Sequence, residues 1–353
     1  MNLETLGWNS FFNSNFEPYL QHGYTAGRIS AEHKHIYRVY TEQGELLAAV
    51  SGKLRYETYG RQDFPAVGDW VVLSVRSDEG KATVHAVLPR QSKFSRQTAG
   101  ATVEEQVIAA NIDTVFLVTA LNNDFNLRRL ERYLTLAWES GASPVVVLSK
   151  ADLCDDVRQK VSDVETVALG VPVHVISSVN GTGVDDLATY LTKGSTAALL
   201  GSSGAGKSTL INRLTGRATQ KVAEVRQGDD RGKHTTTYRE LIISPQGALF
   251  IDTPGMRELQ LWGSDEGLRD SFEDITLFAK QCRFTDCRHE GEPGCAVKAA
   301  LDRGMLDYAR FENYRKLQKE MAYLSRKENL QESLAEKERW KKIHKMMKKH
   351  KKR

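Results

Sequence analysis

The segment Gly201-Ser202-Ser203-Gly204-Ala205-Gly206-Lys207-Ser208 constrains this chain more than any other. It has the pattern G-x-x-x-x-G-K-S. A short apolar run, Ala197-Ala198-Leu199-Leu200, precedes it, and a helix-like run, Thr209-Leu210-Ile211-Asn212-Arg213-Leu214, follows. That is the strand–loop–helix setting in which such a loop binds phosphate. Glycines let the backbone curl so that successive N–H groups face a phosphate, and the helix N-terminus adds partial positive charge. Lys207 is then placed to reach the β- and γ-phosphates, and the Ser208 hydroxyl to bind magnesium. An ordinary glycine-rich turn is the alternative, and the completeness of the pattern in this setting argues against it.

The flanking sequence alternates between strand and helix signals. Ile112 to Thr119 is a near-continuous apolar run, as expected of a strand buried on both faces. Leu127, Leu130, Tyr133, Leu134 and Ala137 recur at helical spacing. Val145 to Leu148 and Val173 to Ile176 read as further strands, and Val157 to Leu169 and Val184 to Leu191 as further helices. Such alternation predicts a mostly parallel sheet wrapped by helices, with ligands at the carboxyl ends of the strands.

The remaining motifs fall at those ends. Ser149-Lys150-Ala151-Asp152 follows one expected strand. A carboxylate at Asp152 can accept from both the ring N–H and the amine of guanine, which selects GTP over ATP. Lys150 would lay its stem along the base. The usual guanine loop has Asn where this chain has Ser149, which loses an amide; a helix cap is the plainer reading of the four residues. Ser177 and Ser178 could offer N–H groups to the base oxygen. Asp252-Thr253-Pro254-Gly255 follows another strand, so that Asp252 would hold magnesium and the Gly255 N–H the γ-phosphate. In Gly232-Lys233-His234-Thr235-Thr236-Thr237, one threonine, best Thr236, would complete the magnesium shell. These last two stretches would form a switch that orders with GTP. The position after Gly255 is Met256, which cannot orient water as glutamine does, so slow intrinsic hydrolysis is expected. His234 is the best internal substitute; packing in a loop is its plainer role.

The order is unusual, because the guanine loop precedes the phosphate loop. The same site forms if the chain is circularly permuted. Ahead of it, Thr25 to Ile29, Ile36 to Tyr40, Leu46 to Val50, Trp70 to Val75 and Ala82 to Leu88 are five short β-rich runs, suggesting a small barrel of the OB type. Arg28, Lys34, Arg38, Tyr40, Lys53, Arg55 and Tyr56 would give it a face for nucleic acid, or are ordinary outward residues. Pro89 to Glu105 reads as a linker and residues 1–22 as a short helical segment.

Behind the switches, Cys282, Cys287, His289 and Cys295 gather three thiols and an imidazole in a short stretch. Those donors suit four-coordinate zinc with no open position, a structural site. Three of four cysteines lie here, which argues for a reducing cytosol rather than a disulfide framework; Cys154 stands apart. Phe311, Tyr314, Leu317, Met321 and Leu324 then mark an amphipathic helix packed on its own domain. Eight of the 49 Lys and Arg residues lie between Lys341 and Arg353 with no acid among them. Without them acids outnumber bases, so the basicity is a tail suited to an acidic partner such as RNA. No apolar run is long enough for a membrane span, and no signal peptide is evident.

From about residue 23 to 320 this arrangement resembles the RsgA/YjeQ family of circularly permuted GTPases. Gly201 to Thr209 match that family's phosphate loop, His234 to Thr237 its first switch and Asp252 to Gly255 its second. Ser149 departs from the Asn or Thr common there. The resemblance implies a structural Zn2+ on Cys282, Cys287, His289 and Cys295, Mg2+ with GTP, and catalysis involving His234, Lys207 and Thr236. It further implies a monomeric, cytoplasmic GTPase that binds the small ribosomal subunit and its 16S rRNA late in assembly, and that hydrolyses GTP to GDP there. The expected parts are a helical segment (1–22), a barrel (23–95), the permuted GTPase domain (106–264), a zinc and helical domain (265–330) and a basic tail (331–353). Two rival readings stand beside it: a GTP-dependent enzyme or regulator acting on another RNA or protein, and an RNA-binding protein with a vestigial nucleotide site.

Overall fold

The computed structural model describes residues 1–33, 35–58, 60–97, 105–216, 239–252 and 265–327. Its first part is a closed barrel. The strands are β1 (Thr25–His33), β2 (Ile36–Thr41), β3 (Gly44–Val50), β4 (Trp70–Arg76) and β5 (Lys81–Val87). They pair in the order β1-β2-β3-β5-β4, and β4 returns to β1. Only β3 and β5 run parallel. Alternate residues, Ile29, Tyr37, Val39, Leu46, Ala48, Val71, Leu73 and Val84 among them, fill the interior. The period-2 pattern that suggested strands is therefore the packing pattern of a small barrel.

Helix α1 (Ser10–Leu20), capped by the Asn9 side chain, lies outside the barrel. Its Phe12 and the preceding Trp8 pack on Trp70 of β4, with ring centroids 5.8 and 4.7 Å away. A short helix α2 (Gly52–Glu57) follows β3. Arg28, expected on an outward nucleic-acid face, is instead buried. Its guanidinium donates to the carbonyl oxygens of Gly68, Leu6 and Asn111. Burial lowers its pKa to about 10, against the pull of Asp113 and Asp69. It bolts the N-terminal segment, the barrel and the next domain together. Arg38, Lys53, Arg55 and Tyr56 do stay exposed.

The stretch read as a linker also differs. It contains β6 (Lys93–Gln97), which pairs antiparallel with β7 (Glu105–Ala110). Arg90 before it makes a two-pronged ion pair with buried Asp69, at 2.8 and 2.7 Å. Polar composition hid a strand whose pairing is supplied by a partner later in the chain.

The second sheet is built from β8 (Thr114–Ala120), β9 (Ser143–Ser149), β10 (Val173–Val175), β11 (Thr196–Gly201), β12 (Glu240–Ile243) and β13 (Leu249–Asp252). Its order is β10-β9-β8-β11-β13-β12, all parallel except β12. Odd and even residues of β8 enter different cores. Val115 and Leu117 face α3 (Leu127–Ser140) and α4 (Val157–Glu165); Phe116 and Val118 face α5 (Lys207–Thr215). The third expected helix is a 3-10 turn, Asp185–Tyr190. Strand β12 also pairs with β1 of the barrel, at Ala31 and Glu240, so one sheet of eleven strands runs through both parts.

Helices α6 (Asp265–Ser271), α7 (Glu273–Ala279) and α8 (Ala296–Asp302) and a helix over 308–327 cover the α3 side. Gly267 meets α3 so closely that a Cβ there would lie 2.7 Å from the Thr135 carbonyl. Phe311, Leu317, Met321 and Leu324 are buried, as the helical spacing predicts. A buried charge network fastens this layer. Arg310 donates to both oxygens of Asp274 at 2.8 and 2.9 Å and to Glu131 of α3 at 2.9 Å. Glu131, with no exposed surface, also accepts from Arg128 and Asn313, each at 2.6 Å. Arg132 clasps Glu320 with two bonds of 2.7 Å. Among the described residues no helix is long and apolar enough to cross a membrane.

Candidate nucleotide site and metal centre

Strands β8, β9, β10, β11 and β13 all end on the same side of the sheet, because they are parallel. The phosphate loop leaves β11 there. Gly201 is flat against β8, where a Cβ would lie 2.2 Å from the Val118 carbonyl oxygen. Gly206, at φ 89°, turns the chain into α5, a left-handed conformation that suits glycine. Lys207 and Ser208 start that helix, whose first-turn N–H groups have no intrahelical partner. The Lys207 ammonium donates to the Gly201 and Ser202 carbonyls at 2.7 and 2.6 Å. That contact draws its charge over the mouth of the loop. Ala205 is buried, and Ser203, Gly204 and Thr209 are half-buried.

The guanine-loop residues adjoin it. Ser149 ends β9 and is buried; its hydroxyl donates to the Ala205 carbonyl at 2.6 Å. The hydroxyl thus ties the two loops together. Lys150 takes a left-handed conformation, φ 60°, and caps the turn Ala151–Leu153. The Ala151 N–H bonds to Ile176 O at 3.1 Å, which holds this loop beside the one after β10. There Ser177 donates to the Asp152 carboxylate at 2.5 Å, fixing its orientation. The Ser178 hydroxyl is buried with no hydrogen-bond partner among the described residues. Asp252 closes β13, which lies beside β11. Lys34, His234, Thr236, Gly255, Met256 and the basic tail lie outside the described residues.

Sequence reasoning missed Asp124. It lies in the loop after β8, the neighbour of β11, and its carboxylate accepts the Ser202 hydroxyl. Nothing local marks it; only the strand order brings it to the phosphate loop.

The second centre is the cluster Cys282, Cys287, His289 and Cys295, whose ligand atoms all lie within 4.8 Å of one another. His289 Nδ1 is 3.6 and 3.5 Å from the sulfurs of Cys282 and Cys295, and those sulfurs are 4.0 Å apart. Tetrahedral zinc would set edges of about 3.5 Å between nitrogen and sulfur and about 3.8 Å between sulfurs. The donor set and spacing fit that ion. Cys154 is not part of it. Between the ligands, the Glu292 carboxylate accepts the N–H groups of Arg288, Glu290 and Gly291 at 2.8 to 3.0 Å. Backbone N–H groups, its own and those of Arg288 and Gly291, hold its pKa down to about 2. A depressed carboxylate stabilises the fold in full above its unfolded value, 4.5, and that contribution fades as pH falls toward 2. The melting temperature of Glu292→Gln is therefore expected to sit a constant interval below the parent from pH 7 to 5. The two curves should converge below that, and a gap that widens on acidification would refute this account.

Comparison with known proteins agrees with this architecture. The RsgA GTPase family matches residues 87–262. A protein of Opitutus terrae named "Small ribosomal subunit biogenesis GTPase RsgA" is 49% identical, covering 98% of this chain and 96% of that one. One of Lactiplantibacillus plantarum with a similar name is 50% identical, over 86% of this chain and 85% of that one. The crystal structure of YjeQ from Thermotoga maritima superposes with a TM-score of 0.64 at 27% identity, over 85% of this chain and 99% of that one. The structure of YloQ, described as a circularly permuted GTPase, shares the fold with a TM-score of 0.61 at 23% identity, over 85% of this chain and 96% of that one. With such identity along almost its whole length and the same permuted sheet, this chain belongs to the RsgA GTPase family.

Proposed function

We propose that this protein is a GTPase of small ribosomal subunit biogenesis, which binds GTP at the strand ends described above and hydrolyses it to GDP and phosphate. The observation that carries this reading is the junction of two loops. Ser149, Lys150 and Asp152 adjoin Gly201 to Ser208 through the Ser149–Ala205 bond, an arrangement that would let a guanine site and a phosphate site share one edge. Asp152, fixed by Ser177, would read the base, and Lys207 would face the β- and γ-phosphates. Ser208, Asp252 and Thr236 would hold Mg2+, which neutralises charge on the phosphates. Zn2+ would be the structural ion of the cysteine cluster.

Met256 leaves water positioning to His234 or to a partner, so hydrolysis is slow alone and rises on the subunit. The exposed Arg38, Lys53, Arg55 and Tyr56, the zinc knuckle and the basic tail would contact 16S rRNA, with the protein acting as a cytoplasmic monomer. The division into barrel (23–95), GTPase domain (106–264), zinc domain (265–330) and tail belongs to the same reading.

The test is GTP hydrolysis by the protein alone, with small subunits, and with large subunits. Stimulation by small subunits only is expected. Lys207→Ala should lower kcat/KM by about a hundredfold, the effect of removing one donor from developing charge. Hydrolysis indifferent to Lys207 would point to the second rival, an RNA-binding protein with a vestigial site.

A further inference from the structure

We propose that Asp124 is a positioning residue of the phosphate loop, holding Ser202 from outside the loop's own motif. The inference rests on reading that loop as the GTP site. Three side chains hydrogen-bond to it. Ser149 holds the Ala205 carbonyl, Lys207 holds the Gly201 and Ser202 carbonyls, and Asp124 holds the Ser202 side chain. The first two belong to the nucleotide motifs. The third comes from the loop between β8 and α3.

That loop is built to present the carboxylate. The Asp124 N–H bonds to the Asn122 side chain at 3.1 Å, and the Asn126 side chain caps α3 through the Arg129 N–H at 3.0 Å. Arg129 reaches back from the first turn of α3. Its guanidinium lies 2.9 Å from the Asp124 carboxylate oxygen that accepts Ser202, and it also donates to the Asp124 backbone carbonyl. Farther along α3, Glu131 and Arg132 are tied to the C-terminal layer. Asp124 is thus an acceptor on a fixed post.

Its charge makes the arrangement informative. A carboxylate beside a loop that takes an anionic ligand opposes that ligand. Here the Arg129 guanidinium offsets it, so the hydrogen bond to Ser202 is kept while the repulsion is reduced. The contact aligns the loop before phosphate arrives, which affects binding of substrate and transition state alike.

The experiment measures affinity for a fluorescent GDP analogue, together with KM and kcat, in the full-length protein. Asp124→Ala should weaken GDP binding and raise KM about tenfold, the usual worth of a hydrogen bond to a charged group, with kcat within about twofold. Asp124→Asn keeps an acceptor without the charge and should bind at least as tightly as the parent. Ser202→Ala should weaken binding on its own, yet add nothing in the Asp124→Ala background. Parental affinity in Asp124→Ala would overturn the inference, as would additive losses in the double variant. A thermal melt of each variant separates these results from misfolding, and Ser202→Ala, which removes the same contact from the other side, tests it should Asp124→Ala fail to fold: parental affinity in Ser202→Ala would then overturn the inference. A parent that binds no guanine nucleotide would instead overturn the GTPase reading.

Discussion

Stripping the zinc proposed for Cys282, Cys287, His289 and Cys295 is expected to unfold the segment between them while the rest of the chain keeps its fold. That segment holds no helix or strand, and most of it is exposed, Phe284 included. Apart from the ligand side chains, it is joined by a few backbone bonds, such as the Arg283 N–H to Gly294 O bond of 3.1 Å, by the bonds to Glu292, and by the half-exposed ion pair of Glu290 with Arg315. Metal binding in small knuckles of this kind contributes about 10–16 kcal/mol, far above what those bonds supply. Cys295 carries a second duty, since its sulfur caps α8 through the Lys298 N–H. Chelation with a thiol reagent should release one zinc per chain and open protease cleavage between residues 282 and 295. Cys295→Ser should do the same without chelator. Full protease resistance after zinc release would contradict this account.

Arg310→Ala should be the most destabilising single change outside the metal centre. Arg310 is 3% exposed, yet it carries a full charge on the α3 side of the sheet. Burial alone would lower its pKa, but Asp274 and Glu131 hold it above its ordinary value. Its guanidinium also lies over the Phe272 ring at 4.7 Å. Truncation leaves Asp274 without its fork and Glu131 buried with one cation fewer. Breaking such a pair from one side costs about 3–5 kcal/mol. Arg310→Lys should recover little of it, because one ammonium cannot match the four acceptors, two oxygens of Asp274, one of Glu131 and the Ser271 carbonyl, that the planar guanidinium serves. Hydrogen exchange reads the effect directly: protection in α3 and in the helix over 308–327 should fall together. Unchanged exchange in α3 would show that the network does not fasten the two layers.

These two cases mark what the chain reveals when read alone. The cysteine cluster was legible because its ligands are close in sequence and chemically distinctive. The phosphate loop was legible for the same reason, and the buried strands because apolar runs are local. Arg310, Glu131 and Asp274 were not, since a charge between core positions is meaningful only with partners far along the chain. Arg28 shows the same limit in a sharper form. Its place in a β-rich run suggested an outward cation, but three carbonyls from three separate segments draw it inside. Ser149 was read as the loss of an amide. Its hydroxyl is in fact bonded to Ala205, a contact visible only once β9 and β11 stand two strands apart in one sheet. The linker that proved to be β6 failed because a strand paired at a domain boundary has little apolar signal of its own.

The shared sheet has a mechanical meaning. Strand β1 belongs to the barrel, yet it is also the neighbour of β12, and β12 of β13, whose last residue is Asp252. Tyr40 of the barrel reaches the Leu241 carbonyl, and Arg38 lies 4.0 Å from Glu240. A torque applied to the barrel cannot be absorbed by a slack tether. It must shear backbone pairing at β12, two strands from the phosphate loop. A barrel clamped on a large particle would therefore fix the attitude of the nucleotide site, and the site would in turn feel any twist of the surface that holds the barrel.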